Sequence, residues 1–385
     1  MEIHMDVLTD KMRRWRHHLH SNPELSSGEF ETAAYIAKEL RSMGIDVTEG
    51  IGGTGVVGTL KCGDGPRTIG LRADMDALPV TEQTGCPYES VTPGTMHACG
   101  HDGHMAMLLG AAEMLSKARD FNGTVRFIFQ PDEETGHGAL NMMADGLLER
   151  FPMDEIYGAH NMPSVPEGKI AMRNGGIMAS EDNFTITVKG VGGHAARPHN
   201  AKDALVIASE IILGIQTIVS RSIDPSCSSV ISCTEIETDG AHNILAGTAV
   251  IKGDTRSLDP VSQKTVEDRM RDICEGICRM NGAECDFQFT HEFIPTVNDP
   301  VCVKHAAAAA SRVVGRENVD TDVTAPLTSE DFGRFLGEIP GCFIFFGSGK
   351  GPDDPDLHNA RYDFNDDILE IGAGFFAQIV RDRLI

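Results

Sequence analysis

The chain has 385 residues, 41% of them hydrophobic and 23% charged, which is a globular composition with room for two domains. A formal net charge of −24 leaves no basic face for phosphates and speaks against nucleic acid or an anionic membrane as partner. No apolar run is expected to reach the roughly 20 residues of a membrane span; the polar start MEIHMDVLTDKMRRWRHHLH shows no export signal, and the ten cysteines then read as thiols, so a cytoplasmic protein is expected.

Helices are predicted over 6–20 and 25–43. Short apolar runs bounded by glycines follow: GVVGTL, TIGLRADM, TVRFIFQP and EIYGAHNM. Helical patterns over 104–117 and 138–148 separate the later runs, and this alternation predicts an α/β sheet with largely parallel strands. Residues 53–58, GTGVVG, fit GxGxxG, but a strand pattern follows instead of a helix, which argues against dinucleotide binding. After Met178 the rhythm changes. The period-two run DNFTITVKG, a helix over 201–221, the runs SSVISCTEIE and GTAVIKGDTR, a helix over 260–280 and AECDFQFTHE give the β-α-β-β-α-β order of a split βαβ unit. The expected organisation is a mixed-sheet α/β domain, residues 1–180 and 293–385, interrupted by a ferredoxin-like α+β domain, residues 181–292. Cys274 and Cys278, four apart on one helix face, read as packing, as does Cys342 in GCFIFFG.

The stretch TMHACGHDGHMAMLLG, residues 95–110, crowds His97, Cys99, His101, Asp102 and His104 at the mouth of a helix. A thiolate and an imidazole two residues apart in an extended loop point the same way and suit a borderline divalent ion. FIFQPDEETGHGA places Asp132, Glu133 and Glu134 in a row at a strand end, where sheets of this kind carry their sites. Three adjacent carboxylates become useful beside a cation. If their side chains alternate, Glu134 ligates while Glu133 faces a substrate as a base. His160 follows another apolar strand, His358 follows the acidic loop GPDDPD, and Asp74 and Asp76 end LRADMD as candidate supports for a ligating histidine. Five ligand-type side chains are enough for two ions, and an ion pair can acidify a water.

RRWRHHLHSNPELSSGEFET, LRADMDALPV, MHACGHDGHMAMLLGAA, FQPDEETGHGA, GAHNMP, GGHAARPHNAKDAL and LHNARYDF occur in that order. With them the chain resembles the aminoacylase and carboxypeptidase family of two-metal peptidases (peptidase family M20). More narrowly it resembles the amidohydrolase branch of hippurate hydrolases, N-acyl-amino-acid amidohydrolases and auxin-conjugate hydrolases. The resemblance implies a metal-dependent hydrolase that cleaves N-acyl amino acids to a carboxylic acid and a free amino acid. It implies two divalent ions, zinc or manganese with cobalt or nickel as alternatives, held by Cys99, His101, Glu134, His160 and His358. It casts Glu133 as general base and Asp76 as the carboxylate that orients a ligand. The inserted domain becomes a lid that mediates a homodimer or tetramer and lends His194 to the other subunit's active site, to steady an oxyanion. Asn243 and Arg256 match residues that meet the substrate's carboxylate.

Asp74 stands where the wider family has the histidine of H-x-D. Asp132 replaces a small residue, Thr135 and His137 break a glycine run, and HNILAG replaces HNVIP. Two rivals remain at this point. One is a dipeptidase or aminopeptidase in which Asp132 meets a free α-amino group. The other is an enzyme with a Cys99 nucleophile and no metal. A non-catalytic metal-binding protein is a third, against which the Glu133-Glu134 pair speaks.

Overall fold

The computed structural model describes residues 5–385. These fold into two compact units. The first contains the chain through Ile177, Val297–Thr324 and Asp331–Ile385; the second contains Met178–Thr296 and Ala325–Glu330.

The first unit is built on an eight-stranded sheet. Its order is Asp46–Ile51, Gly55–Cys62, Gly123–Gln130, Thr68–Asp74, Glu155–Pro166, Gly341–Gly349, Ile170–Ala171 and Val319–Asp320. The middle four strands run parallel. The first two form an antiparallel hairpin, and Gly55–Cys62 pairs antiparallel with Gly123–Gln130. The expectation of a largely parallel sheet thus holds for its centre and for the edge pair Ile170–Ala171 and Val319–Asp320, and fails at the hairpin. Only Gly52, Gly53 and Thr54 separate the first two strands, too short a link for a parallel crossover.

Strand Glu155–Pro166, like the central strands, is buried over its first half and apolar on both faces. Helix His101–Ala118 lies against the sheet and is buried on every side through Leu115, with His101, Asp102, His104 and Glu113 as its buried polar positions, so no solvent face shows in its pattern. The first helix spans Met5–Ser21. The helix expected from Leu25 starts only at Phe30, because Ser27 takes a left-handed backbone (φ 62°) and the chain turns there.

The second unit is a four-stranded antiparallel sheet in the order Ser229–Thr238, Thr248–Ser257, Glu181–Lys189, Glu284–Phe293. Helices Ala204–Ile215 and Pro260–Met280 fill its core with Ile207, Ile211, Ile215, Val266, Met270, Cys274 and Cys278. This is the ferredoxin-like arrangement. One sequence expectation fails here. Ala204–Arg221 is long and apolar enough to cross a membrane, with a mean hydropathy of 1.5 over 18 residues. It breaks at Gln216, and its inward side chains belong to the core just described, which accounts for the apolarity.

Candidate metal centre

Parallel register sets the level of the site. Arg72 pairs with Gly158 and Asp74 with Gln130, so Asp74, Gln130 and His160 stand at one height across three strands. Asp76, the Asp132–Glu134 turn and the loop carrying His358 lie just beyond, at the carboxyl end of the sheet. Cys99 and His101 enter from the loop before helix His101–Ala118. Gly100 between them has φ 89°, and a Cβ there would stand 2.4 Å from Asn161 Oδ1 and 3.0 Å from Tyr362 Oη, so glycine alone allows this approach.

Cys99, His101 and His160 each offer a ligand atom within 4.8 Å of the others, and so do Cys99, Glu134 and His358. The two triads share Cys99. Cys99 Sγ lies 3.4 Å from His160 Nε2, and His358 Nε2 lies 3.6 Å from Glu134 Oε2. Both inner imidazoles are oriented from behind. His101 donates Nδ1–H to the Asp76 carbonyl at 2.9 Å, with the Asp76 carboxylate at 3.4 Å; His160 donates Nδ1–H to the Asn161 carbonyl at 2.7 Å. Each therefore leaves Nε2 facing the thiol and carboxylates, able to ligate once it carries no proton, and His101 Nε2 is buried with no hydrogen-bond partner. An imidazole held in this tautomer, facing a thiol and carboxylates, is what a divalent ion requires.

Electrostatics agree. Burial alone would lower the pKa of His101, but Asp74, Asp76 and Glu134 outweigh it and raise the imidazole to about 10. Burial lifts Glu134 to about 7 despite His101. Burial, with Glu134, Glu133 and Asp74 nearby, pushes the Cys99 thiol well above its ordinary value. The cavity thus takes up protons where positive charge is needed, and a cation displaces them. The same shift works against Cys99 as a metal-free nucleophile, which is favoured by a lowered thiol pKa.

Glu133 Oε2 and Glu134 Oε1 lie 4.0 and 3.8 Å from His101 Nε2. The expected alternation, with the two carboxylates facing opposite ways, is not observed. The strand ends at Gln130, and Asp132 (φ 57°) bends the chain before the pair.

The structure adds supporting residues: Arg72 and Ser26 carry no role in the sequence reading, and His104 stands there only among the crowded ligand-type side chains. His104 holds Asp74 Oδ1 at 2.6 Å and Asn161 Oδ1 at 2.7 Å, and Asn161 Nδ2 reaches Tyr362 Oη at 2.6 Å. With both ring nitrogens engaged, His104 supports the site and does not ligate. Its i,i+3 spacing from His101 was the available signal. Fully buried Arg72 binds Asp74 at 2.7 Å, Gln130 at 2.8 Å and Asp331 at 3.0 Å. Ser26 Oγ donates to Asp76 Oδ2 at 2.7 Å.

His194, Asn243 and Arg256 belong to the second unit. His194 and Ile244 pair across a short ribbon, and Ala195 N donates to the Asn243 carbonyl at 3.1 Å, so this loop pair is exposed but tied together. Arg256 is held by Glu181 at 2.8 Å and Asp254 at 3.0 Å.

The model of peptidase family M20/M25/M40 matches residues 70–382. The chain is 41% identical over 372 residues to a hippurate hydrolase of Campylobacter jejuni, covering 97% of this chain and 96% of that one. It is 35% identical over 366 residues to an N-acetylcysteine deacetylase of Bacillus subtilis, covering 94% of each. Among solved structures it is similar to the Bacillus subtilis YXEP protein, a dinuclear metal-binding peptidase of the M20 family. That match has a TM-score of 0.86 and 32% identity, over 98% of this chain and 99% of the other.

Proposed function

The chain belongs to peptidase family M20/M25/M40 as a metal-dependent amidohydrolase with two divalent ions, and from that premise we propose that it hydrolyses N-acyl amino acids. The observation that carries the reading is the pair of triads sharing Cys99, with His101 Nε2 bare and aimed between Glu133 and Glu134.

Cys99, His101, Glu134, His160 and His358 would hold the ions, for which the thiol and imidazole donors favour zinc, then manganese, cobalt or nickel. When bound, the ions supply the charge that polarises an amide carbonyl and acidifies a water. Glu133 takes the proton from that water as it attacks, and returns it to the leaving nitrogen. Asp76 and the Asn161 carbonyl keep His101 and His160 in the ligating tautomer. In this reading residues 1–180 and 293–385 carry the chemistry, and residues 181–292 form a lid through which a homodimer assembles. His194 of the partner subunit steadies the oxyanion, and Arg256 and Asn243 meet the carboxylate of the amino-acid part.

Hippurate and N-acetylcysteine, the compounds named for the two relatives, are both acylated amino acids with a free carboxylate. An aminopeptidase reading needs a group for a free ammonium, and Asp132 was its candidate. That residue is 5% exposed and its carboxylate is engaged by the hydroxyls of Ser27 and Thr135, an arrangement that faces it to the protein and disfavours contact with a substrate amine.

The test is Glu133→Gln, assayed on N-benzoylglycine and a panel of N-acetyl amino acids beside free dipeptides. The variant keeps two equivalents of metal and loses about 10²- to 10⁴-fold in kcat. Full turnover by the variant, or faster cleavage of dipeptides than of acyl amino acids by the native enzyme, would overturn the reading.

A further inference from the structure

Two consecutive residues in an extended chain put their side chains on opposite faces. Glu133 and Glu134 instead converge on one nitrogen, at 4.0 and 3.8 Å. The residue that breaks the alternation is Asp132, whose φ of 57° is a left-handed conformation that L residues rarely take, although Asp tolerates it better than most.

What keeps it there is visible on all four of its polar atoms. Oδ2 accepts from Ser27 Oγ at 2.8 Å and Oδ1 from Thr135 Oγ1 at 2.6 Å. The backbone N–H donates to Glu29 Oε1 at 2.9 Å, and the carbonyl accepts from Gly138 N at 3.0 Å. Glu29 is itself fixed, accepting from Ser27 N at 3.0 Å and Thr54 Oγ1 at 2.7 Å. One residue earlier, Ser26 grips Asp76 Oδ2, the same oxygen that receives Glu134 N at 3.0 Å. Adjacent serines thus hold the turn at both of its ends. A small residue at position 132 could accept neither hydroxyl proton.

We propose that Asp132 is a positioning residue: anchored by Ser27 and Thr135, its carboxylate holds the bent backbone that brings Glu133 and Glu134 together beside His101 Nε2. This rests on the reading of Glu133 as base and Glu134 as ligand.

The experiment uses the metal-loaded enzyme and four variants, Asp132→Val, Asp132→Asn, Ser27→Ala and Glu133→Gln. Each is measured for kcat and KM on N-benzoylglycine, for metal equivalents by elemental analysis and for thermal midpoint. A β-branched valine resists the left-handed backbone and has no acceptor. Asp132→Val therefore lowers kcat about 10²-fold, the cost of an ångström-scale misplacement, with KM little changed and less than two equivalents of metal retained. Asn keeps one acceptor in Oδ1, its Nδ2 can donate to the oxygen of the other hydroxyl, and it tolerates the backbone, so Asp132→Asn restores most of kcat and both ions. Ser27→Ala lowers kcat in the same sense, by less.

Wild-type kcat in Asp132→Val or Ser27→Ala, or equal loss in Asp132→Asn and Asp132→Val, overturns the proposal. If Asp132→Val fails to fold, the Ser27→Ala and Asp132→Asn results decide it. A fully active Glu133→Gln overturns the base assignment instead. An inactive Glu133→Gln beside a wild-type Asp132→Val overturns only the positioning role.

Discussion

His20 sets a pH dependence that the metal ions do not control. It is fully buried, with Nδ1 2.8 Å from Asp102 Oδ2 and Nε2 3.0 Å from Glu82 Oε1. Burial alone would lower its pKa, but the bonds to Asp102 and Glu82 overcome that and raise it from 6.5 to about 9. A raised folded pKa means stability that is fully present below the unfolded value of 6.5 and lost as pH climbs through about 9. The shift of about 2.5 units, at 1.36 kcal/mol each, amounts to about 3 kcal/mol. Glu82, lowered to about 2 against the pull of burial, reports the same contact and is not added to it. The assay is urea unfolding of metal-free protein at pH 6 and pH 10, for the native chain and for His20→Gln. Taking the difference between the two chains cancels every titrating group that does not touch His20. The native chain's advantage should shrink by about 3 kcal/mol between the two pH values. An advantage that stays constant, within the roughly 10–15% error of such extrapolations, refutes the reasoning.

Gly100→Ala should combine about 1–2 kcal/mol of left-handed strain with a collision at Asn161 Oδ1, only 2.4 Å from the new Cβ. Since Cys99 and His101 flank it, metal content and kcat fall together, kcat by about 10²-fold; native metal content in this variant would contradict the account. Loading the metal-free protein at pH 8 should release about two protons, those of the raised His101 and of the Cys99 thiol. At pH 6 the release rises toward three, as Glu134 with its pKa near 7 adds its own, and affinity falls as pH drops through that value. A pH-stat trace with no proton release would show that these groups are not the ligands.

The fold was legible where one force dominated. Period-two runs and Pro260–Met280, opened by Asp259 accepting from Ser262 N and by a proline in its first turn, came out as expected because pattern and cap agree. Local pattern misled where a single backbone angle decides. Nothing in SNPELSSGEF shows that Ser27 will go left-handed and delay the helix to Phe30. The candidate site residues stood out for different reasons: Glu133 and Glu134 follow an apolar strand, His160 lies in one, and Cys99 and His101 crowd the mouth of a helix. The supporting shell did not. Asp331 lies more than 250 residues from Arg72, and only the folded sheet shows that it accepts from Arg72, from Gln130 Nε2 and from Ala139 N at once.

Four non-glycine residues among those described have positive φ: Ser27, Arg119, Asp132 and His358. Two of these, Asp132 and His358, belong to the candidate metal centre or the turn that carries its carboxylates, and a third, Ser27, is hydrogen-bonded to that turn. Each such residue costs on the order of 1–3 kcal/mol and persists only where its surroundings over-determine it. The surroundings are visible here. Asp132 has its four contacts, Ser27 shares Glu29 with it, and His358 N donates to the Ala98 carbonyl at 2.8 Å, one residue before Cys99. That last bond explains how a candidate ligand more than 250 positions away can sit beside Cys99 on an exposed, acidic loop. Its backbone is tied to the same strand of chain that presents the thiol. The strain is therefore held in the polypeptide. A site fixed this way presents its donors before an ion arrives, which lowers the ordering cost of binding.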